Sequence, residues 1–193
     1  MLQQLFDIGI KTATVTRYSQ SKLMREESVM EHTGQVALMA LIIGRKCDAD
    51  IEQLMTKAVI HDLEESELGD IANPVKYDNE NLYDAIDNLA KSIFRNISCR
   101  INDFYLYAYW LHAKDTSLEG RIVKLCDVLS VLMKLHEEVI IYHNYSLVGH
   151  SENTLKWIKQ RLEEEDNQVL LEILAEARDI NTHILKRKDY ADF

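Results

Sequence analysis

Few residues in this 193-residue chain can stop a helix. It holds one proline and six glycines, the residue types that most readily end or bend regular structure. Between them, apolar residues recur at helical spacing. Val36, Met39, Ala40 and Ile43 form a stripe over 31–46 that ends near Gly44, and Ile51, Leu54, Met55, Ala58 and Val59 repeat it over 51–65. Leu82, Ile86, Leu89, Ile93 and Ile97 make a third stripe. The segment DFYLYAYWLHA is apolar on nearly every side and reads as a short buried helix. Ser117 is placed to cap the longest helix, whose stripe includes Ile122, Leu125, Leu129, Leu132 and Val139. After a turn at NYSLVGHSEN, two more helices are expected near 152–165 and 168–187. No alternating strand or Asn-Gly hairpin appears. The expected fold is all-α, a single-domain helical bundle over 1–193.

Charge narrows the partners. A formal net charge of −10 repels a nucleic-acid backbone, so a DNA or RNA polymer is not expected as a ligand. A small phosphorylated substrate stays open, because a metal ion and one or two cations can reverse the field inside a cleft. No apolar run approaches the roughly 18–20 residues of a membrane span, and residues 1–20 lack a signal peptide's basic start and apolar centre. Cys47, Cys99 and Cys126 are scattered and form no CxxC spacing. They read as ordinary thiols of a reducing cytoplasm, the expected location.

The stretch VIHDLEESELGD (59–70) raises the chemical question. Apolar residues run straight into His61-Asp62, where a solvated acidic face would not need a histidine. Adjacent helical residues point about 100° apart, so both side chains can reach one ion against the helix flank. His32 begins another helix on the face of Val36, Met39 and Ile43; alone it reads as a core or capping residue. Asp127, in IVKLCDVLSVLM, interrupts an apolar helix, where a carboxylate needs a base or a cation. A pair with Lys124 or another buried base would satisfy it; so would a metal. Two imidazoles and two carboxylates form a mixed nitrogen–oxygen set that suits manganese, cobalt, iron or zinc. Glu64 and Glu67 read as solvated charges.

SVMEH, then HDLEESELGDIANPVKY, then VKLCD followed by LMKLHEEV, resemble the HD-domain phosphohydrolases, and within them the bacterial 5′-deoxynucleotidases. The motifs span about 15–145; the C-terminal helices, about 151–187, are compatible. The resemblance implies that His32, His61, Asp62 and Asp127 bind one divalent metal ion. It implies a catalytic acid at Glu65, one helical turn after His61, and a second at Asp70 beyond the Gly69 stop. Arg17 matches the arginine that holds the substrate phosphate, and Lys76 a lysine near it. Such proteins are typically homodimers acting on deoxyribonucleoside 5′-monophosphates. Tyr18 stands where that family carries a sugar-contacting tryptophan, and Leu111 precedes His112 where the family often has an acidic residue. His136, His143, His150 and His183 read as surface or interface residues.

Two other functions fit the same residues. One is release of triphosphate from a deoxynucleoside triphosphate, with Lys11, Lys22 and Arg25 as added cations. The other is a catalytically silent nucleotide-binding helical module.

Overall fold

The computed structural model describes residues 2–76 and 79–187. Among the described residues ten α-helices follow one another: α1 (Leu2–Thr14), α2 (Val29–Lys46), α3 (Ile51–Ile60), α4 (Glu65–Leu68), α5 (Asn73–Lys76), α6 (Glu80–Ile101), α7 (Tyr105–Leu111), α8 (Leu118–His136), α9 (His150–Glu164) and α10 (Gln168–Leu185). No strand occurs among the described residues. The all-α expectation holds.

Helix starts follow local chemistry. Ser28 accepts a hydrogen bond from the Glu31 amide at the start of α2, Asp50 from Gln53 at α3, and Ser117 from Gly120 at α8. Each short side chain occupies an amide that the helix itself leaves unpaired. Helix α6 ends on Asn102 in the left-handed region, φ 58°, which asparagine tolerates better than most residues.

Helices α2, α3 and α8 pack on one another around Val36, Ala40, Leu54, Ala58, Ile122 and Cys126, all fully buried. Gly44 is required there, since a Cβ would collide with Leu54 Cδ2. The α9–α10 pair packs on α8, and α1 on α2.

Three expectations need correction. Helix α3 stops at Ile60, not near 65. The His61 ring bonds the Ala58 carbonyl at 2.8 Å, and residues 60–67 turn through i→i+3 bonds such as Leu63 N–H to Ile60 O, 3.1 Å, a tighter path than the α-helix. The segment around α7 is helical but holds no buried residue within α7 itself; Phe104 and Tyr105 are 65% and 81% exposed. Seven residues make only two turns, so one side meets the core, with Trp110 stacked on Phe94 at 4.8 Å, and the others face outward. The longest helix is α6 with 22 residues, against 19 in α8, which continues as a π-helical turn over Glu137–Ile141.

That π-turn fastens the loop between α1 and α2. Glu138, fully buried, accepts from the amides of Met24 (2.9 Å) and Arg25 (3.2 Å) and from Asn144 Nδ2 (2.6 Å). The buried Lys134 ammonium lies 3.0 Å from it. At its base the loop closes through an antiparallel bridge, Arg17 N–H to Glu27 O (2.8 Å) and Val29 N–H to Val15 O (2.9 Å). Glu138→Ala leaves two loop amides without their carboxylate and the buried Lys134 ammonium with only Glu137 and the Arg25 carbonyl, and losing buried hydrogen bonds to a charged group costs about 1.5–3 kcal/mol. Urea unfolding should show a loss of that size, and protease nicking within 19–27 should accompany it. A loss under about 1 kcal/mol, no more than an exposed surface pair contributes, would exclude the clasp.

Candidate active site

The first turn of α2 carries His32, the turn after α3 carries His61 and Asp62, and the middle of α8 carries Asp127. One ligand atom from each lies within 4.8 Å of all the others. His32 Nε2 is 3.2 Å from His61 Nε2, 3.3 Å from Asp62 Oδ2 and 3.5 Å from Asp127 Oδ1. The rings are held from behind. His61 Nδ1 donates to the Ala58 carbonyl at 2.8 Å. Ser130 Oγ donates to Gln35 Oε1 at 2.8 Å, so it accepts from His32 Nδ1, 2.9 Å away.

Those bonds decide the tautomers. With both Nδ1 atoms protonated, both Nε2 atoms turn lone pairs toward the same point as two carboxylate oxygens. Four acceptors facing one another repel unless a cation lies among them. Backing one imidazole nitrogen with a hydrogen bond while the other ligates is the usual support of a metal-bound histidine. The donor set therefore fits a metal ion.

The electrostatics agree. Burial disfavours charge on Asp62 and Asp127. It is outweighed at Asp62 by His61, Lys114 and bonds to both imidazoles, and at Asp127 by Lys114, Lys124 and His32, so both carboxyls sit well below their usual range. Burial also opposes charge on His32, but hydrogen bonds to Asp127 and Asp62 raise its pKa. The cluster attracts positive charge. Lys124, the alternative partner for Asp127 on sequence, does lie 3.3 Å from Asp127 Oδ2, on the side away from the histidines. Base and cluster coexist.

A cavity of about 320 Å³ opens beside the cluster, and Arg17, Tyr18, Glu65, Asp70 and Lys76 all line it. Arg17 is buried, donates from Nη1 to Glu27 at 2.7 Å and lies 5.0 Å from the Tyr18 ring centroid. Tyr18 adopts φ 58°, held by its amide bond to Asp70 Oδ2 at 3.0 Å. Glu65 starts α4 after the tight turn, rather than continuing the His61 helix as its spacing suggested. Gly69 at φ 81° ends α4 and returns its N–H to Glu65 O, 2.8 Å, a conformation glycine adopts without a Cβ penalty. Burial, with Asp62, Asp70 and Glu64 nearby, pushes the Glu65 carboxyl well above the ordinary range. Arg17 Nε, Tyr18 Oη and Glu65 Oε2 are buried and meet no hydrogen-bond partner among the described residues. Such atoms are costly unless a ligand takes them up.

Several contributors were not legible. Lys114 bonds Asp62 Oδ1 at 3.1 Å and Asp127 Oδ2 at 2.8 Å; nothing in "HAKD" distinguishes it from a surface lysine. Glu64, read as solvated, accepts from Trp110 Nε1 at 2.7 Å, and burial beside Asp62 pushes its carboxyl up to about 7. His150, read as a surface or interface residue, lines the cavity and meets the Tyr18 ring edge-on at 6.0 Å. Trp157, one helical face along α9 from His150, lines it too. The i, i+7 spacing was available, but not the direction in which α9 faces. Glu67 pairs with Arg100 and with Lys11. His112 points outward, its side chain 68% exposed.

Residues 4–177 match the family described as 5′-deoxynucleotidase YfbR-like. A 5′-deoxynucleotidase of Enterobacter sp. strain 638 is 31% identical over 165 residues, covering 79% of this chain and 81% of its own. Among solved structures, an HD-domain phosphohydrolase of Listeria innocua superposes with a TM-score of 0.68 at 22% identity, covering 96% of this chain and 99% of its own. A cyanophage S-2L HD phosphohydrolase, described as bound to dA and one catalytic Zn²⁺, gives 0.60 at 17%, with 94% of each chain covered. The profile match over most of the chain, together with the curated relatives, decides the matter: this chain belongs to the YfbR-like 5′-deoxynucleotidase family.

Proposed function

We propose that the protein is a phosphoric monoester hydrolase that converts (deoxy)ribonucleoside 5′-monophosphates into nucleoside and phosphate. It uses one divalent ion (cobalt, manganese, zinc or iron) held by His32, His61, Asp62 and Asp127. The observation that carries this is the pair of back-bonded histidines whose Nε2 lone pairs meet two carboxylates at the edge of a cavity containing a buried arginine. Family membership supports it, as do the dA and catalytic zinc described for the cyanophage neighbour.

When bound, the ion supplies Lewis acidity toward a phosphoryl oxygen and toward the attacking water. The chain's residues do the rest. Arg17 offers a forked cation to the phosphate, kept in one orientation by Glu27, and Lys76, which lines the same cavity, adds a point charge. Asp70 orients the incoming water and holds the Tyr18 amide, so the loop and the chemistry share one carboxylate. As the water oxygen bonds to phosphorus, the bond from phosphorus to the 5′-oxygen breaks, and Glu65 delivers its proton to that oxygen. The nucleoside lies against Tyr18, His150 and Trp157.

The triphosphate alternative is not favoured. Arg25 is engaged by Glu31 and Glu137, and Lys11 by Glu67; neither they nor Lys22 lines the cavity. A homodimer is the assembly we assign, supported by the exposed Leu2, Leu5, Phe6 and Ile10 of α1 and Leu38 and Ile42 of α2, each at least half exposed. Among the described residues no helix is long and apolar enough to cross a membrane.

A panel of deoxy- and ribonucleoside mono- and triphosphates, assayed after chelation with each metal restored in turn, tests the function. Monophosphates should yield inorganic phosphate only when metal is present. Triphosphate release, or activity indifferent to metal, would overturn it.

A further inference from the structure

We propose that Lys114 is a resident cation of the metal centre, one that orients both carboxylate ligands and supplies part of the positive field the substrate phosphate meets. This rests on His32, His61, Asp62 and Asp127 being the metal ligands. Each carboxylate divides its two oxygens. Asp62 Oδ2 and Asp127 Oδ1 face the histidine nitrogens, at 3.1 Å from His61 and 3.5 Å from His32. Asp62 Oδ1 and Asp127 Oδ2 face Lys114 Nζ, at 3.1 Å and 2.8 Å. One ammonium thus bridges the outer oxygens of two ligands from different elements, and it fixes which oxygen of each is left for the ion. Such outer contacts set the orientation and basicity of metal ligands.

The position of Lys114 is itself secured. Its neighbour Asp115 accepts from the buried Lys57 ammonium at 3.0 Å and from the Ser117 amide at 3.1 Å, which ties the 112–117 segment to α3 and to the cap of α8. A lysine is ordinarily an ammonium at neutral pH, and here two carboxylate oxygens accept from it.

Charge gives Lys114 a function beyond packing. A divalent ion is neutralised by Asp62 and Asp127, so the field reaching a phosphate dianion comes from the remaining cations that line the cavity, chiefly Arg17, Lys76, Lys124 and Lys114. The same ammonium repels the ion and draws electron density from its ligands. Lys114 therefore lowers metal affinity and raises phosphate affinity. A residue that merely held the fold would lower both when removed.

Lys114→Gln keeps two donors and loses the charge. Cobalt(II) titration of chelated protein should give a dissociation constant at least about tenfold lower in this variant, as loss of a nearby like charge requires. Competitive inhibition by inorganic phosphate should weaken at least about tenfold by the same Coulomb argument. Lys114→Arg should restore both values. Should the glutamine variant fail to fold, Lys114→Met, which loses the donors with the charge, is read by phosphate inhibition, expected to weaken at least about tenfold; unchanged inhibition overturns the proposal. Cobalt affinity that is unchanged or weaker in the uncharged variant overturns the proposal, while wild-type protein that binds no cobalt removes the ligand assignment and the proposal together.

Discussion

Glu65→Gln should lower kcat by about 10²–10⁴-fold, the range that loss of general acid–base catalysis typically produces, while metal content and phosphate affinity stay near wild type. The carboxyl lies in the cavity wall with Oε2 buried and unpartnered. Burial and the charges of Asp62, Asp70 and Glu64 raise its pKa. The sign matters: a raised pKa shifts the carboxyl toward its protonated form relative to an ordinary glutamate. The proton is then available to the 5′-oxygen, a poor leaving group as an alkoxide. Glutamine preserves size and hydrogen bonding but holds no transferable proton. A nitrophenyl phosphate ester leaves as a stabilised anion and should recover part of the lost rate. If the variant loses its metal, or slows both leaving groups equally, the acid is another residue, and Asp70 is the first to test.

The helices were legible because their apolar stripes repeat at one period over many residues and their caps are chemically specific. Ser117, placed as a cap from its position alone, accepts the Gly120 amide. The break after Ile60 was not legible. Propensity and stripe both continue through 61–65, and what ends the helix is the His61 ring on the Ala58 carbonyl, a contact set by the cluster rather than by local preference. The α7 segment failed for a related reason. Aromatic rings announce burial, yet only a partner surface decides how many of them are covered, and here Trp110 finds Phe94 while Tyr105 finds solvent.

The four acceptor residues stood out because each is a polar group set into an apolar stripe, a local anomaly. Lys114 and Glu64 carry no such mark. Both sit among charges and polar residues in a turn, and their partners lie far along the chain: Asp62 for Lys114, Trp110 for Glu64. His150 shows the same limit at the other wall, since its contact with Tyr18 depends on how α9 is rotated against α8.

Asp127→Ala tests the centre most severely. Of the four proposed ligands Asp127 has the most non-metal partners, Lys114 at 2.8 Å and Lys124 at 3.3 Å, so its loss acts twice. First, the ion loses one of two anionic ligands. A metal contributes several kcal/mol of transition-state stabilisation, and each 1.36 kcal/mol is about tenfold in rate. The value of kcat/KM should therefore fall by about 10³-fold or more. Second, the freed ammonium of Lys114 keeps only Asp62, which leaves excess positive charge where the ion must bind. Elemental analysis after dialysis should find most of the metal gone, and Asp127→Asn should lose nearly as much, because an amide keeps the shape without the charge. Circular dichroism should show helix content near wild type, since Asp127 caps no helix and its neighbours in the α8 stripe stay packed. Full metal occupancy in the alanine variant would remove Asp127 from the ligand set and return it to the simpler role of partner to the two lysines.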